Sequence, residues 1–185
     1  MKQNKLTLLR YKFLTIGSAF RRFKYKQLGF KIGPNTSIGK VGLTWHGSVS
    51  VGHSCTIEDG VDFKVDHPFE ENNYIQIGNA TFIGRNSEFH TSTKILIGND
   101  CMIASQCIFA GVGHEYRKEL PINNQPTTVG DITIEDDVWL GIGSKVLQGV
   151  VIGKGSVIGA GSLVNKSIPA NEVWAGSPAR FIKNR

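Results

Sequence analysis

Residues 131–168 read DITIEDDVWLGIGSKVLQGVVIGKGSVIGAGSLVNKSI, and a branched aliphatic returns in them at every sixth position: Ile134, Leu140, Val146, Ile152, Ile158 and Val164. Four residues after each stand Val138, Ser144, Val150, Ser156, Ser162 and Ile168, all small or branched. Helices repeat every 3.6 residues and strands every 2, so neither produces this spacing. A fixed short period marks a solenoid, in which each turn buries its apolar face against its neighbours alone. Six residues per face suit a triangular coil of roughly eighteen residues, a parallel β-helix.

The period continues upstream with interruptions. Ile97, Ile103 and Phe109 form one triplet, Ile77, Ile83 and Phe89 another, Val51, Ile57 and Phe63 a third, and Ile32 with Ile38 opens a fourth. The triplets predict about six coils and, at roughly 4.8 Å per paired strand, a prism about 30 Å long. Two segments break the register: 64–76, and the longer 111–133 with Pro121 and Pro126. Loops that leave a rigid scaffold are where function concentrates, so these two mark where to look.

Length and pattern together predict one prism domain over residues 32–185, preceded by a basic amphipathic helix over 1–31. Cys55, Cys101 and Cys107 each stand four residues after a repeat aliphatic, where other turns carry Ser, Thr or Val. They read as small interior packing residues rather than as a disulfide or a metal site. With no CxxC and no secretory pattern, a reducing cytoplasm is the expected setting.

Charge is uneven. Residues 1–57 hold ten Lys or Arg and no acidic residue, which leaves eleven basic against fifteen acidic residues, a net of −4, in the remainder. Leu6, Leu9, Phe13, Ile16, Phe20 and Phe23 recur at helical spacing, with Lys2, Lys5, Arg10, Lys12, Arg21, Arg22, Lys24 and Lys26 between and beyond them. No apolar run is long enough for a membrane span or a signal peptide. Two readings stand. The helix closes the open end of the prism or packs against another subunit, or it lies on an anionic membrane surface at the inner face of the membrane. Both can hold, because a capping helix has an outer face. No nucleic-acid-binding motif accompanies the charge, so nucleic acid is not an expected partner.

The second long loop starts at Phe109-Ala-Gly-Val-Gly-His114. If Phe109 and Gly113 keep the repeat register, His114 sits on a corner, the last residue before the chain leaves the prism. Imidazole is the side chain whose ordinary titration lies nearest neutrality, so it suits proton transfer at that place. A histidine alone at a loop root is not a mechanism.

The hexapeptide run, the Gly-His at the root of a long loop, ITIEDDVWLG around Trp139, VIGAGS ending at Ser162 and AGSPAR ending at Arg180 follow in this order. Over residues 32–183 the chain resembles the left-handed parallel β-helix acyltransferases, especially the galactoside and xenobiotic acetyltransferase branch, and it is similar to polysaccharide O-acetyltransferases. The resemblance implies left-handed winding, a homotrimer, and acetyl-CoA as cosubstrate in the groove between prisms, with no metal. It places His114 on the catalytic histidine, as general base for an acceptor hydroxyl that attacks the thioester directly. Trp139 falls on the residue lining the pantetheine arm and Ala160 on a position whose backbone holds the coenzyme. Asn165, Lys166, Arg180 and Lys183 fall on the end that meets its phosphates.

The acceptor side departs from the family pattern. Thr91-Ser92 stand where sugar-acetylating relatives carry acidic residues, Ile142 stands where relatives carry a polar residue near the thioester, and Glu88 and His90 become the acceptor-binding candidates. The leading expectation is O-acetylation of a sugar hydroxyl in surface polysaccharide or lipid-linked saccharide. The alternative is N-acylation of a nucleotide-linked amino sugar. Further alternatives are a non-catalytic scaffold, and a lyase like the γ-class carbonic anhydrases. The latter needs two zinc-binding histidines five residues apart, a spacing absent among His46, His53, His67, His90 and His114.

Overall fold

A computed structural model describes residues 5–43 and 45–185, without the side chains of residues 5–15 and 46. Lys2 of the basic helix therefore lies outside the described residues, as do the side chains of Lys5, Leu6, Leu9, Arg10, Lys12, Phe13 and His46.

The chain winds through three parallel sheets that form the faces of a prism. The first face stacks Lys31–Ile32, Val49–Val51, Tyr74–Ile77, Lys94–Ile97, Ile132–Ile134 and Val151–Ile152. The second runs from Ser37–Ile38 through Thr56–Ile57, Phe82–Ile83, Met102–Ile103 and Trp139–Leu140 to Val157–Ile158 and Glu172–Ala175. The third runs from Gly42–Leu43 through Asp62–Val65, Glu88–Thr91, Ile108–Ala110 and Lys145–Leu147 to Leu163–Val164. Six strands on the first and third faces give the six coils expected from the period. These parallel strands hold two to four residues, because only one or two residues in each point inward before the chain turns.

The inward aliphatics are the periodic ones. Ile134, Leu140, Val146, Ile152, Ile158 and Val164 are all buried. Along the third face the interior is aromatic: Phe63 and Phe89 stack at 5.1 Å between ring centroids, and Phe89 and Phe109 at 4.4 Å. The positions four residues on face inward at the corners, where a hydroxyl or thiol reaches a carbonyl of the next coil. Thr81 donates to Gly98 O at 3.0 Å, Ser156 to Pro169 O at 2.7 Å and Cys101 to Glu135 O at 3.1 Å. All three cysteines are free and buried, as the pattern predicts. Burial raises their thiols, Cys101 and Cys107 to about 11, so they are poor nucleophiles at neutral pH.

Glycine serves two purposes. Directly after the aliphatic the need is space: a Cβ at Gly141 would lie 2.6 Å from the backbone nitrogen of Ala160 in the next coil. Three residues after the aliphatic the need is backbone shape. Gly143 and Gly161 take φ of 71° and 67° there, while Asn86 and Asp100 fill the same place at 54° and 57°.

α1 (Lys5–Gln27) closes the N-terminal end, but not with its apolar stripe. Ser18 Oγ accepts from Ile38 N at 2.9 Å and Arg21 Nε donates to Ile38 O at 2.9 Å. Arg22 donates to Thr36 O at 3.3 Å, and Tyr25 OH accepts from Val41 N at 3.3 Å. These bonds satisfy backbone groups at the open edge of the first coil. Phe30, fully buried against Phe63 at 6.1 Å, plugs the interior beneath them. Ile16, Phe20 and Phe23 point to solvent, 64%, 69% and 62% exposed.

Candidate active site

The Phe63–Phe89–Phe109 stack sets the strand Ile108–Ala110, and the chain leaves the prism just after it. Gly111 N donates to His90 O at 2.8 Å, and Gly111 O accepts from Gly130 N at 3.2 Å, which closes the neck of the insertion. Beyond the neck, Val112–His114 pairs antiparallel with Thr127–Val129, His114 opposite Thr127. His114 is thus not on a prism corner, as the repeat register predicts, but in a two-stranded arm that projects from one. The period ends at Ala110 because an antiparallel partner, rather than another coil, takes up the next backbone groups. At the tip, buried Gln125 clasps the loop: its Oε1 accepts from Arg117 N at 2.7 Å, and its Nε2 donates to Arg117 O and Leu120 O, both at 2.8 Å.

His114 is exposed and makes no ring hydrogen bond among the described residues. It opens on a cleft of about 840 Å³ that it lines with Tyr116, Arg117, Thr128 and Gln148. Gln148 stands one coil beyond Gly111 on the same edge. Its Nε2 donates to Thr128 Oγ1 at 2.8 Å, while its buried Oε1 has no partner. A Cβ at Gly113 would lie 2.9 Å from Thr128 Oγ1, so glycine there keeps room for that bond. Sequence reading missed Gln148 and Thr128. Their meeting depends on the arm's register, which no periodicity announces.

His90 lies under Ala110 in register, one coil before the arm. Its Nε2 is 2.7 Å from Asp66 Oδ2, with Ser92 Oγ at 3.2 Å and Lys64 Nζ at 3.7 Å from the same carboxylate. Burial would raise the Asp66 carboxyl. The hydrogen bond and charge of His90, with Lys64 and Ser92, outweigh burial and hold it below the usual carboxylate range. Asp66 was not among the sequence candidates. Glu88, two residues before His90, is exposed on the flat of the third face.

The coenzyme candidates divide between two edges of the prism. Asn165 and Lys166 follow the strand Leu163–Val164, so they stand on the third-to-first edge, two coils beyond the arm. Lys166 Nζ sits 4.9 Å from the ring centroid of Trp174, which closes the C-terminal end. Trp139 lies outward on the second face between Met102 and Val157, 52% exposed. Ala160 stands at the next corner, over Ile142, whose carbonyl accepts from Gly161 N at 2.8 Å. Arg180 reaches that side too, paired with Ala175 on the returning strand Arg180–Asn184, whereas Lys183 pairs with Val173 farther along the face. Within one chain, His114 and the Trp139–Ala160–Arg180 group are separated by the whole third face, about 20 Å for six extended residues.

The family model for bacterial transferase hexapeptide (six repeats) matches residues 131–166, the stretch that carries the unbroken period. The chain therefore carries the hexapeptide repeat that this family model describes. This hexapeptide-repeat chain is 38% identical over 116 residues to galactoside O-acetyltransferase of Escherichia coli, across 60% of its own length and 57% of that protein. It spans about half the length of the curated relatives it matches. Among solved structures it is similar to AntD, an N-acyltransferase from Bacillus cereus in complex with dTDP and 3-hydroxybutyryl-CoA. The TM-score is 0.75 at 22% identity, over 89% of this chain and 88% of that one, a likeness of fold alone. It is also similar to the polySia specific acetyltransferase NeuO, with TM-score 0.61 and 26% identity over 84% and 81% of the two chains. The expected left-handed parallel β-helix is the fold of this chain. Among the described residues no group of three His, Cys, Asp or Glu side chains is placed to hold a metal ion.

Proposed function

We propose that the chain is an acetyl-CoA-dependent O-acetyltransferase acting on a sugar hydroxyl, with His114 as general base. The observation that carries this reading is His114 itself: an exposed imidazole on a braced arm, opening on a cleft large enough for a saccharide. His114 takes the hydroxyl proton as the acceptor oxygen bonds to the thioester carbonyl carbon. The tetrahedral intermediate then collapses, the C–S bond breaks, and the imidazolium returns the proton to the leaving thiolate. Backbone N–H groups lining the groove would steady the oxyanion. An acyl-cysteine route has no support, because the three thiols are buried and raised. His90, oriented by Asp66, is the acceptor-side group on the same edge, and Glu88 the more distant one.

The division of the site between two edges supports a homotrimer. In a closed ring of three copies, the His114 edge of one prism would face the Trp139–Ala160–Arg180 edge of the next. A groove between them would hold the pantetheine arm beside Trp139. Light scattering is expected to give about three times the 20.3 kDa chain mass. A fully active monomer would overturn the shared site.

Charge-assisted contacts to phosphate are worth about 1.5–3 kcal/mol. Arg180→Ala is therefore expected to weaken coenzyme binding roughly ten-fold or more in calorimetry. Unchanged affinity would remove Arg180 from the site.

The decisive experiment is thiol release from acetyl-CoA across an acceptor panel. Release with hexoses or lipid-linked saccharides is expected. Release with nucleotide-linked amino sugars alone would replace the reading with N-acylation. Absence of coenzyme binding would leave a scaffold.

A further inference from the structure

The cap helix divides its surface in a way that end-capping does not require. At about 100° per residue, Ile16, Phe20 and Phe23 fall within about 60° of one another, and the earlier stripe residues Leu9 and Phe13 continue the same line in sequence. Ser18, Arg21, Arg22 and Tyr25, the residues bonded to the first coil, fall on the opposite side of the helix. The prism is thus held by the polar face, and the three apolar side chains are left in solvent. Lys24 and Lys26 stand about 80° to either side of Ile16, both exposed, and flank the stripe.

We propose that this outer face docks on an anionic phospholipid surface, with the phenyl rings at the acyl boundary and the lysines among the headgroups. Charge selects the occupant. Residues 1–57 carry ten basic and no acidic side chains, while the rest of the chain is net −4. An anionic surface would attract the helix end and repel the body of the prism, which fixes the orientation of docking. A second copy is a poorer occupant: the same face would bring lysines against lysines, with no carboxylate on the helix to pair them. No described helix is long and apolar enough to cross a membrane, so the helix lies on the surface rather than through it.

The test uses the full chain with vesicles of phosphatidylcholine alone and of phosphatidylcholine with phosphatidylglycerol. Co-sedimentation is expected with the anionic vesicles and should weaken as salt screens the attraction. Phe20→Ser with Phe23→Ser should lower the bound fraction at least about ten-fold. Lys24→Glu with Lys26→Glu should abolish the preference for anionic lipid. Both double variants should keep the scattering mass and the coenzyme affinity of the parent. Equal binding to the two vesicle types, or none to either, overturns the proposal. A fall in scattering mass in the phenylalanine variant also overturns it, since the stripe would then be a subunit contact. The acyl-transfer reading stands or falls separately, on thiol release with a water-soluble acceptor.

Discussion

His114→Asn is expected to lower turnover by roughly 10²–10⁴-fold, the contribution of a positioned general base, or about 3–5 kcal/mol of barrier. Asparagine keeps a polar side chain of similar size on the arm, so the loss reports proton transfer rather than a collapsed cleft. Coenzyme affinity should barely change, because the phosphate candidates Asn165 and Lys166 stand two coils beyond the arm. The thermal midpoint should not move either, since His114 is exposed and its ring bonds no described residue. A variant that keeps more than about a third of parental turnover, far outside the general-base range, would shift the assignment to another group. His90 is then the next candidate, because Asp66 holds its Nε2 at 2.7 Å.

Phe89→Ala is the change expected to cost most in stability. Phe89 is 1% exposed, with the Phe63 and Phe109 rings on its two sides, and truncating such a side chain removes about 3–5 kcal/mol. Each coil contacts only its neighbours, so the loss should concentrate in the coils of Phe63, Phe89 and Phe109. Faster amide exchange is therefore expected in Ile108–Ala110 and at the neck of the His114 arm, with slower change near Val164. Phe69, 83% exposed in the first insertion, serves as the control. Phe69→Ala should cost less than about 1 kcal/mol. Urea denaturation of the two variants decides the matter, and a Phe89→Ala loss below about 1 kcal/mol would mean the aromatic stack does not hold the prism.

The helix shows where pattern reading needs a partner before it has meaning. Its apolar stripe is plain in the spacing of Ile16, Phe20 and Phe23, and an apolar stripe ordinarily faces a core. The prism end asks for something else. The open edge of the first coil presents backbone N–H and C=O groups of Thr36, Ile38 and Val41, which only polar side chains can satisfy. Phe30 had already filled the interior. The stripe was legible, but its direction was not.

A similar limit applies to His114 and its surroundings. The break in period after Phe109 is visible in the sequence, and so is the histidine. The antiparallel pairing that carries His114 past the corner is not, because two short strands separated by the 115–126 loop leave no periodic trace. Gln148 is hidden from the sequence for the same reason: its position in the hexapeptide faces outward, and only the arm folding back across it buries its Oε1.

By itself the sequence determined the coil, its six turns, the inward aliphatics and the buried thiols. Each is a local choice repeated every six residues, and neighbouring coils bury the same face in the same register. Tertiary structure alone decided which face of α1 meets the prism, where the arm places His114 and which acidic residue holds His90. It also decided that the coenzyme candidates lie on two different edges. Those outcomes depend on contacts between segments with unrelated spacings, and the competition for unpaired backbone groups settles them once the coils have stacked.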